Sequence, residues 1–360
     1  MSNVDLADLV RDKIKSLKAY QVDNSDCEIK LHANENPYPP PAELLELFEK
    51  TLSEFELNRY PDPDSRELRM TLSQRLGVPI ENLVVGNGSD ELIQLLMQIF
   101  CDAGDTVAFP DPTFAMYSII AKGQGLVPVP VPLDESWDFE SGRFQDAIKS
   151  HRPRILFFSY PNNPTGNCFS ENAIREVLES FGGIVVVDEA YCDFSRKSFI
   201  RELGKHNNLV ILRSLSKIGL AGLRVGYLIG DPRIVEQVNK VRLPYNSNTV
   251  SQVLTNQLLK NFGPVQKQID TIIVERERLI LALEKIEAVK VFPSDSNFIL
   301  FRVEKEGGGF FKKMMDNGIL IRNLSSHPRL ENCLRVTVGT PEENDRFLEH
   351  MASMTCSTAG

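Results

Sequence analysis

Short unbroken apolar runs alternate with amphipathic stretches along most of this chain. Ile155-Leu-Phe-Phe158, Val185-Val-Val187 and Leu209-Val-Ile-Leu212 have no polar residue inside them. Such runs mark strands buried on both faces. Strands are expected over 83–85, 106–109, 154–159, 184–188, 209–213 and 225–229, and helices over 42–55, 65–76, 89–100 and 170–180. That alternation predicts an α/β fold whose mostly parallel central sheet is wrapped by helices. Pro128-Val-Pro-Val-Pro132 lacks ladder donors and is expected at an edge or in a loop. A long amphipathic helix over 264–286 leads into strands near 298–303, 319–322 and 334–338. Gly307-Gly-Gly309 reads as a short flexible turn, and 351–360 as a poorly ordered tail. The expected division is an arm over 1–40, a large unit over 41–245 and a smaller α+β unit over 246–360.

Composition narrows the class. A chain of 360 residues can bury a large core, and 42% hydrophobic with 25% charged residues is ordinary for a globular protein. The net charge of −9 comes without a basic block, so no nucleic-acid partner is expected. No uncharged apolar run reaches spanning length and the first residues lack a basic start, so a cytoplasmic protein with no membrane partner is expected. The 6 cysteines form no Cys-x-x-Cys pair and read as reduced thiols, with no metal role.

The candidate chemistry sits at strand ends. Ser214-Leu-Ser216-Lys217 follows the run ending at Leu212, and Gly222-Leu-Arg224-Val-Gly226 comes soon after. A lysine there can form a Schiff base with an aldehyde cofactor. Ser214, Ser216 and Arg224 can hold a phosphate dianion beside it. The same Ser-x-x-Lys spacing also serves enzymes with a serine nucleophile. Asp188 ends the valine run, where ligands bind in open sheets; it can keep a pyridine ring nitrogen protonated, or merely cap the next turn. Tyr191 can bond the ring hydroxyl, as can Asn163 in the rigid turn Pro161-Asn-Asn163-Pro-Thr-Gly166, a segment that alone reads as an ordinary turn. Gly86-Asn-Gly88-Ser89-Asp90 precedes an apolar helix with Ser89 or Asp90 as N-cap; it suits either a plain cap or a phosphate site.

Asn163-Pro-Thr-Gly166, Asp188-x-x-Tyr191 and Ser214-x-Ser216-Lys217 with Gly222-Leu-Arg224, in this order, resemble the fold-type I pyridoxal phosphate aminotransferases. Leu31-His-Ala-Asn-Glu-Asn-Pro-Tyr38, Asn58-Arg-Tyr60-Pro-Asp-Pro63, Gly86-Asn-Gly-Ser-Asp-Glu91 and Leu334-Arg-Val-Thr-Val-Gly339 are similar to the histidinol-phosphate aminotransferases among them. The resemblance runs from about residue 20 to about residue 347. It implies pyridoxal 5'-phosphate as cofactor, Lys217 as its covalent anchor and proton carrier, and transfer of an amino group from L-histidinol phosphate to 2-oxoglutarate, giving L-glutamate. It also implies that the arm packs on the small unit, that Phe114 stacks on the cofactor, and that Tyr60 crosses a homodimer interface to the neighbour's phosphate.

For the substrate, Arg335 in an apolar strand needs a partner, and its guanidinium suits carboxylate or phosphate. Arg322 offers a second fork, though both arginines also suit structural ion pairs. The resemblance adds Tyr20, which carries alanine before it where proline is commoner in the family. His32, His151, His206, His327 and His350 read as non-catalytic, because a lysine can move the proton. An aromatic amino-acid aminotransferase, a phosphothreonine decarboxylase and a silent cofactor-binding protein remain open alternatives on these residues.

Overall fold

The fold was obtained as a computed structural model and describes residues 5–19, 23, 25–53, 56, 58–304 and 307–356. Strand β1 (Ile29–Lys30) leads into a seven-stranded sheet built from β2 (Leu83–Asn87), β3 (Thr106–Asp111), β4 (Val127–Pro132), β5 (Ile155–Ser159), β6 (Ile184–Asp188), β7 (Leu209–Ser214) and β8 (Val225–Gly230). Its order is β2-β8-β7-β6-β5-β3-β4, and only β8 runs against the rest. The proline-rich β4 is an edge strand, as its missing donors require.

The apolar runs divide between two cores by the two-residue period of a strand. Leu156, Phe158, Val185, Val187, Leu209 and Ile211 face one core, and Ile155, Phe157, Val186, Val210 and Leu212 face the other. Helices cover both faces. Ser89–Phe100, Met116–Gln124 and Pro232–Val241 close the second core; Ala42–Leu52, Arg66–Leu76, Glu171–Ser180 and Thr249–Lys260 close the first. Helix Thr249–Lys260 is also tied to Arg66–Leu76 through Thr71 Oγ1, which donates to Asn256 Oδ1 at 2.6 Å.

The long helix Gly263–Leu283 carries the chain to a second sheet. This contains β9 (Val289–Val291) and β10 (Phe298–Val303); β11 (Ile319–Leu320) pairs instead with β1, and β12 (Arg322–Asn323) and β13 (Cys333–Thr337) complete the second sheet in the order β12-β13-β10-β9. The expected strand over 319–322 is thus split between two partners. On this sheet Ile299, Phe301, Leu334 and Val336 enter the small unit's own core, whereas Phe298 and Leu300 enter the large unit's core. Arg335 is the register partner of Leu300 and so shares the face turned to the large unit.

Two expectations are corrected. Gly307-Gly-Gly309 opens helix Gly307–Asp316 and is not a flexible turn. Asn332 Oδ1 accepts from Gly307 N at 3.0 Å, and a Cβ on Gly307 would lie 2.9 Å from Asn332 Cα. The cap therefore comes from a distant loop and demands glycine at the contact. The tail is helical as far as Cys356, because Phe347 and Met351 lie in the small unit's core; residues 357–360 fall outside the described residues. The first residues make contacts with both sheets' surroundings. Residues 29–31 join the small unit, but Arg11 Nη2 and Lys13 Nζ donate to Gly123 O and Gly125 O of the large unit, at 2.9 and 2.8 Å.

Candidate active site

Every parallel strand of the large sheet ends on the same edge, and the residues just beyond β2, β5, β6 and β7 converge there. They meet the Arg335 face of the small sheet around a cavity of about 540 Å³. Sites of this kind lie at the carboxyl ends of strands in open α/β sheets. Among its lining residues are Lys217, Asp188, Tyr191, Asn163, Arg224 and Phe114.

At the floor, Asp188 ends β6 and is only 3% exposed. Its Oδ2 accepts from Tyr117 Oη at 2.8 Å, and its Oδ1 accepts from Ala190 N at 3.2 Å. Burial pushes this carboxyl up to about 6, although both hydrogen bonds favour the ionised form. Among the described residues no cation is bonded to this buried carboxylate, which is costly, and a cationic ring nitrogen would relieve that cost. Tyr117 is fully buried, stacked on Phe157 at 4.8 Å and edge-on to Phe114 at 5.6 Å.

One wall is polar. Tyr191 Oη accepts from Asn34 Nδ2 at 3.0 Å and from Asn163 Nδ2 at 3.3 Å. Asn163 Oδ1 in turn accepts from Arg335 Nη1 at 2.5 Å. Lys217 lies on the 3₁₀ turn Ser216–Ile218 after β7; its Nζ is 3.5 Å from Ala33 O and 5.8 Å from the centre of the Tyr191 ring.

At the other end is an anion cradle. Helix Ser89–Phe100 begins after Gly88, which is the N-cap at φ +79° with no side-chain cap; Ser89 and Asp90 lie in the first turn rather than capping it. A Cβ on Gly88 would sit 2.6 Å from Arg224 Nη2, and one on Gly226 would sit 2.4 Å from Ser89 N. Both glycines thus let the loop, β8 and the guanidinium close around one point. Arg224 adopts the left-handed region, φ +53°, a conformation that functional residues often hold. It donates to Ser216 Oγ and Asp90 Oδ2, both at a long 3.5 Å. Ser214 Oγ accepts from Ser216 N at 3.2 Å. Free first-turn N–H groups, two hydroxyls and an arginine fit a phosphate. Together with Lys217 within the cavity and a buried acid at its floor, these residues fit pyridoxal phosphate.

The roof carries the substrate-side arginines. Arg322 of β12 and Arg335 of β13 are direct register partners, and both line the cavity. Like charges placed opposite each other destabilise an antiparallel pair, so this arrangement suits a polyanionic guest. Arg335 is 8% exposed, donates through Nη2 to His32 O at 2.7 Å and lies 5.1 Å over Phe298.

Tyr60 lies away from this cavity. It is 81% exposed and stacks on Tyr245 at 4.5 Å. Tyr20 lies outside the described residues. The sequence reading missed Tyr117, Asn34 and the cavity position of His32. Asn34 and His32 sat in a quoted motif, whereas Tyr117 lies in a helix that the apolar pattern did not announce.

Residues 27–351 match the family model for "Aminotransferase class I and II". A histidinol-phosphate aminotransferase of Caldanaerobacter subterraneus subsp. tengcongensis is 40% identical over 344 residues, 95% of this chain and 97% of that protein. One of Aquifex aeolicus is 42% identical over 342 residues, covering 95% and 96%. The solved structure of histidinol-phosphate aminotransferase from Sinorhizobium meliloti in complex with pyridoxal-5'-phosphate has the same fold, with a TM-score of 0.87 at 21% identity over 97% of this chain and 98% of that one.

Proposed function

The chain belongs to the class I and II aminotransferases, and we propose that it transfers the amino group of L-histidinol phosphate to 2-oxoglutarate, giving imidazole acetol phosphate and L-glutamate in histidine biosynthesis. The observation that carries the substrate is the register-opposed pair Arg322 and Arg335 over the cavity. Two guanidinium forks suit a phosphate dianion, and one of them suffices for the carboxylate of glutamate.

Pyridoxal 5'-phosphate, when bound, supplies an electrophilic carbonyl carbon and a cationic ring that draws electrons from the substrate's α-carbon. Lys217 Nζ would hold it covalently at rest, and with its amine free it would carry the proton between the substrate's α-carbon and the cofactor. Asp188 Oδ keeps the ring nitrogen protonated, a role suited to a buried carboxylate that still ionises at neutral pH. Tyr191 Oη and Asn163 Nδ2, already bonded to each other, orient the ring hydroxyl. Ser89 N–H, Ser214, Ser216 and Arg224 hold the phosphate, with Gly88 and Asp90 shaping the cradle, while Phe114 covers a ring face. Arg335 receives the carboxylate in the glutamate half-reaction; Arg322 joins it, with Tyr20, for the phosphate substrate.

Among the described residues no helix is long and apolar enough to cross a membrane. We place the enzyme in the cytoplasm as a homodimer whose exposed Tyr60 completes the partner's phosphate site. Exposed Leu243 and Tyr245 beside it support an interface there.

The test is a half-reaction screen of purified holoenzyme, read from the absorbance of its bound cofactor. Histidinol phosphate and glutamate should each convert it. Carbon dioxide release from phosphothreonine, or faster conversion by phenylalanine than by histidinol phosphate, would overturn the reading.

A further inference from the structure

A histidine that the transfer chemistry does not use lines the cavity with the substrate-side arginines. Residues 31–34 run between β11 and the end of β13 that follows Arg335. Leu31 N donates to Leu320 O at 2.7 Å, Thr337 N donates to Leu31 O at 2.8 Å, and Asn34 N donates to Thr337 Oγ1 at 3.0 Å. Arg335 reaches back to His32 O at 2.7 Å. His32 lines the cavity together with Glu35, Arg322 and Arg335. Its Nδ1 is buried and has no hydrogen-bond partner among the described residues. A buried polar nitrogen left unpaired is costly and needs a reason.

The charges acting on the ring explain its state. Burial holds the imidazole below its ordinary range; Glu35 and Asp23 oppose this, and Arg322 and Arg335 add to it. Without a bound anion the ring is therefore held toward its neutral form. A phosphate monoester brings nearly two negative charges to the same roof and reverses the local field. In the glutamate half-reaction a single carboxylate meets this roof, at Arg335.

We propose that His32 is a specificity-determining residue that takes a proton from solvent when a phosphate-bearing amine enters, giving the dianion a third cation beside Arg322 and Arg335. The inference rests on the reading of this cavity as a histidinol phosphate site. It makes recognition of the phosphate substrate pH-dependent and leaves the glutamate half-reaction much less so.

The experiment measures KM and kcat of the holoenzyme for histidinol phosphate from about pH 6 to about pH 8.5, across the imidazole range. For the natural chain KM should climb with pH. In His32→Asn and His32→Gln that climb should vanish. Their KM at the acid end should be raised roughly 10- to 100-fold, the worth of one hydrogen bond to a charged group. The loss should fall on KM more than on kcat, and on histidinol phosphate more than on glutamate. Calorimetry with inorganic phosphate in two buffers of different ionisation enthalpy should show proton uptake that both variants lack. If one variant fails to hold the cofactor, the other and the calorimetry decide. An unchanged KM slope and an unchanged proton count in a well-folded variant overturn the proposal. A natural enzyme inactive on histidinol phosphate at every pH removes instead the reading beneath it.

Discussion

Replacing Asp188 by asparagine should make the apoprotein more stable and the enzyme nearly inactive. The carboxyl is 3% exposed and raised from 3.8 to about 6 by burial. A folded-state value above the unfolded one means that this group's contribution is fully favourable below about pH 4 and is lost as pH rises through about 6. The difference of about two pKa units corresponds to about 3 kcal/mol at neutral pH. Asparagine keeps the shape and removes the charge, but it offers one acceptor where Asp188 uses two, for Tyr117 Oη and Ala190 N. One weakened hydrogen bond subtracts about 1 kcal/mol, leaving a gain of about 1–2 kcal/mol. Denaturant melts of the apoproteins at about pH 4 and about pH 8 should therefore converge in acid and separate in base, with Asp188→Asn the more stable. Adding pyridoxal phosphate should reverse that order, because only the carboxylate can face a cationic ring nitrogen. Turnover should drop by the cost of breaking a buried charge pair, roughly 3–5 kcal/mol or two to four powers of ten. A variant no more stable than the natural apoprotein at about pH 8, or one with near-normal turnover, would refute the reasoning.

Other outcomes follow from the same geometry. Borohydride reduction should fix the cofactor to Lys217, and Lys217→Ala should bind cofactor without turning over; peptide mapping that finds the adduct on another lysine contradicts this. Arg335→Ala should harm both half-reactions, whereas Arg322→Ala should harm histidinol phosphate far more than glutamate, as half-reaction rates will reveal. Mixing inactive Lys217→Ala with an inactive Tyr60 variant should restore one working site per hybrid dimer; no recovery after proven subunit exchange would confine Tyr60 to its own chain.

The large sheet was legible in the sequence because its strands are buried on both faces. Val185–Val187 and Leu209–Leu212 are apolar without a break, and each alternates between two cores. The polar residues that end these runs are the site residues, so Asp188 and Lys217 stood out once the strands were drawn. Features made by distant partners were hidden. Gly307 opens a helix because Asn332 caps it from a separate loop. Gly88, not Ser89, is the cap, and it must be glycine because Arg224 occupies the space of its Cβ. The chain 29–34 contributes Asn34 and His32 by threading beside strands about three hundred residues away, through bonds such as Asn34 N to Thr337 Oγ1. Local periodicity carries no trace of such pairing.

The opposed arginines carry the substrate assignment, and they are tested most directly by comparing kcat/KM for L-histidinol phosphate with that for histidinol. Removing the phosphate takes away the group that Arg322 and Arg335, register partners lining the cavity, are proposed to receive together. Truncating one partner of such a charge pair costs about 2–5 kcal/mol, which is roughly 30- to 4000-fold. A preference of that size for the phosphorylated substrate is the expected result; equal efficiency on the two would contradict the account.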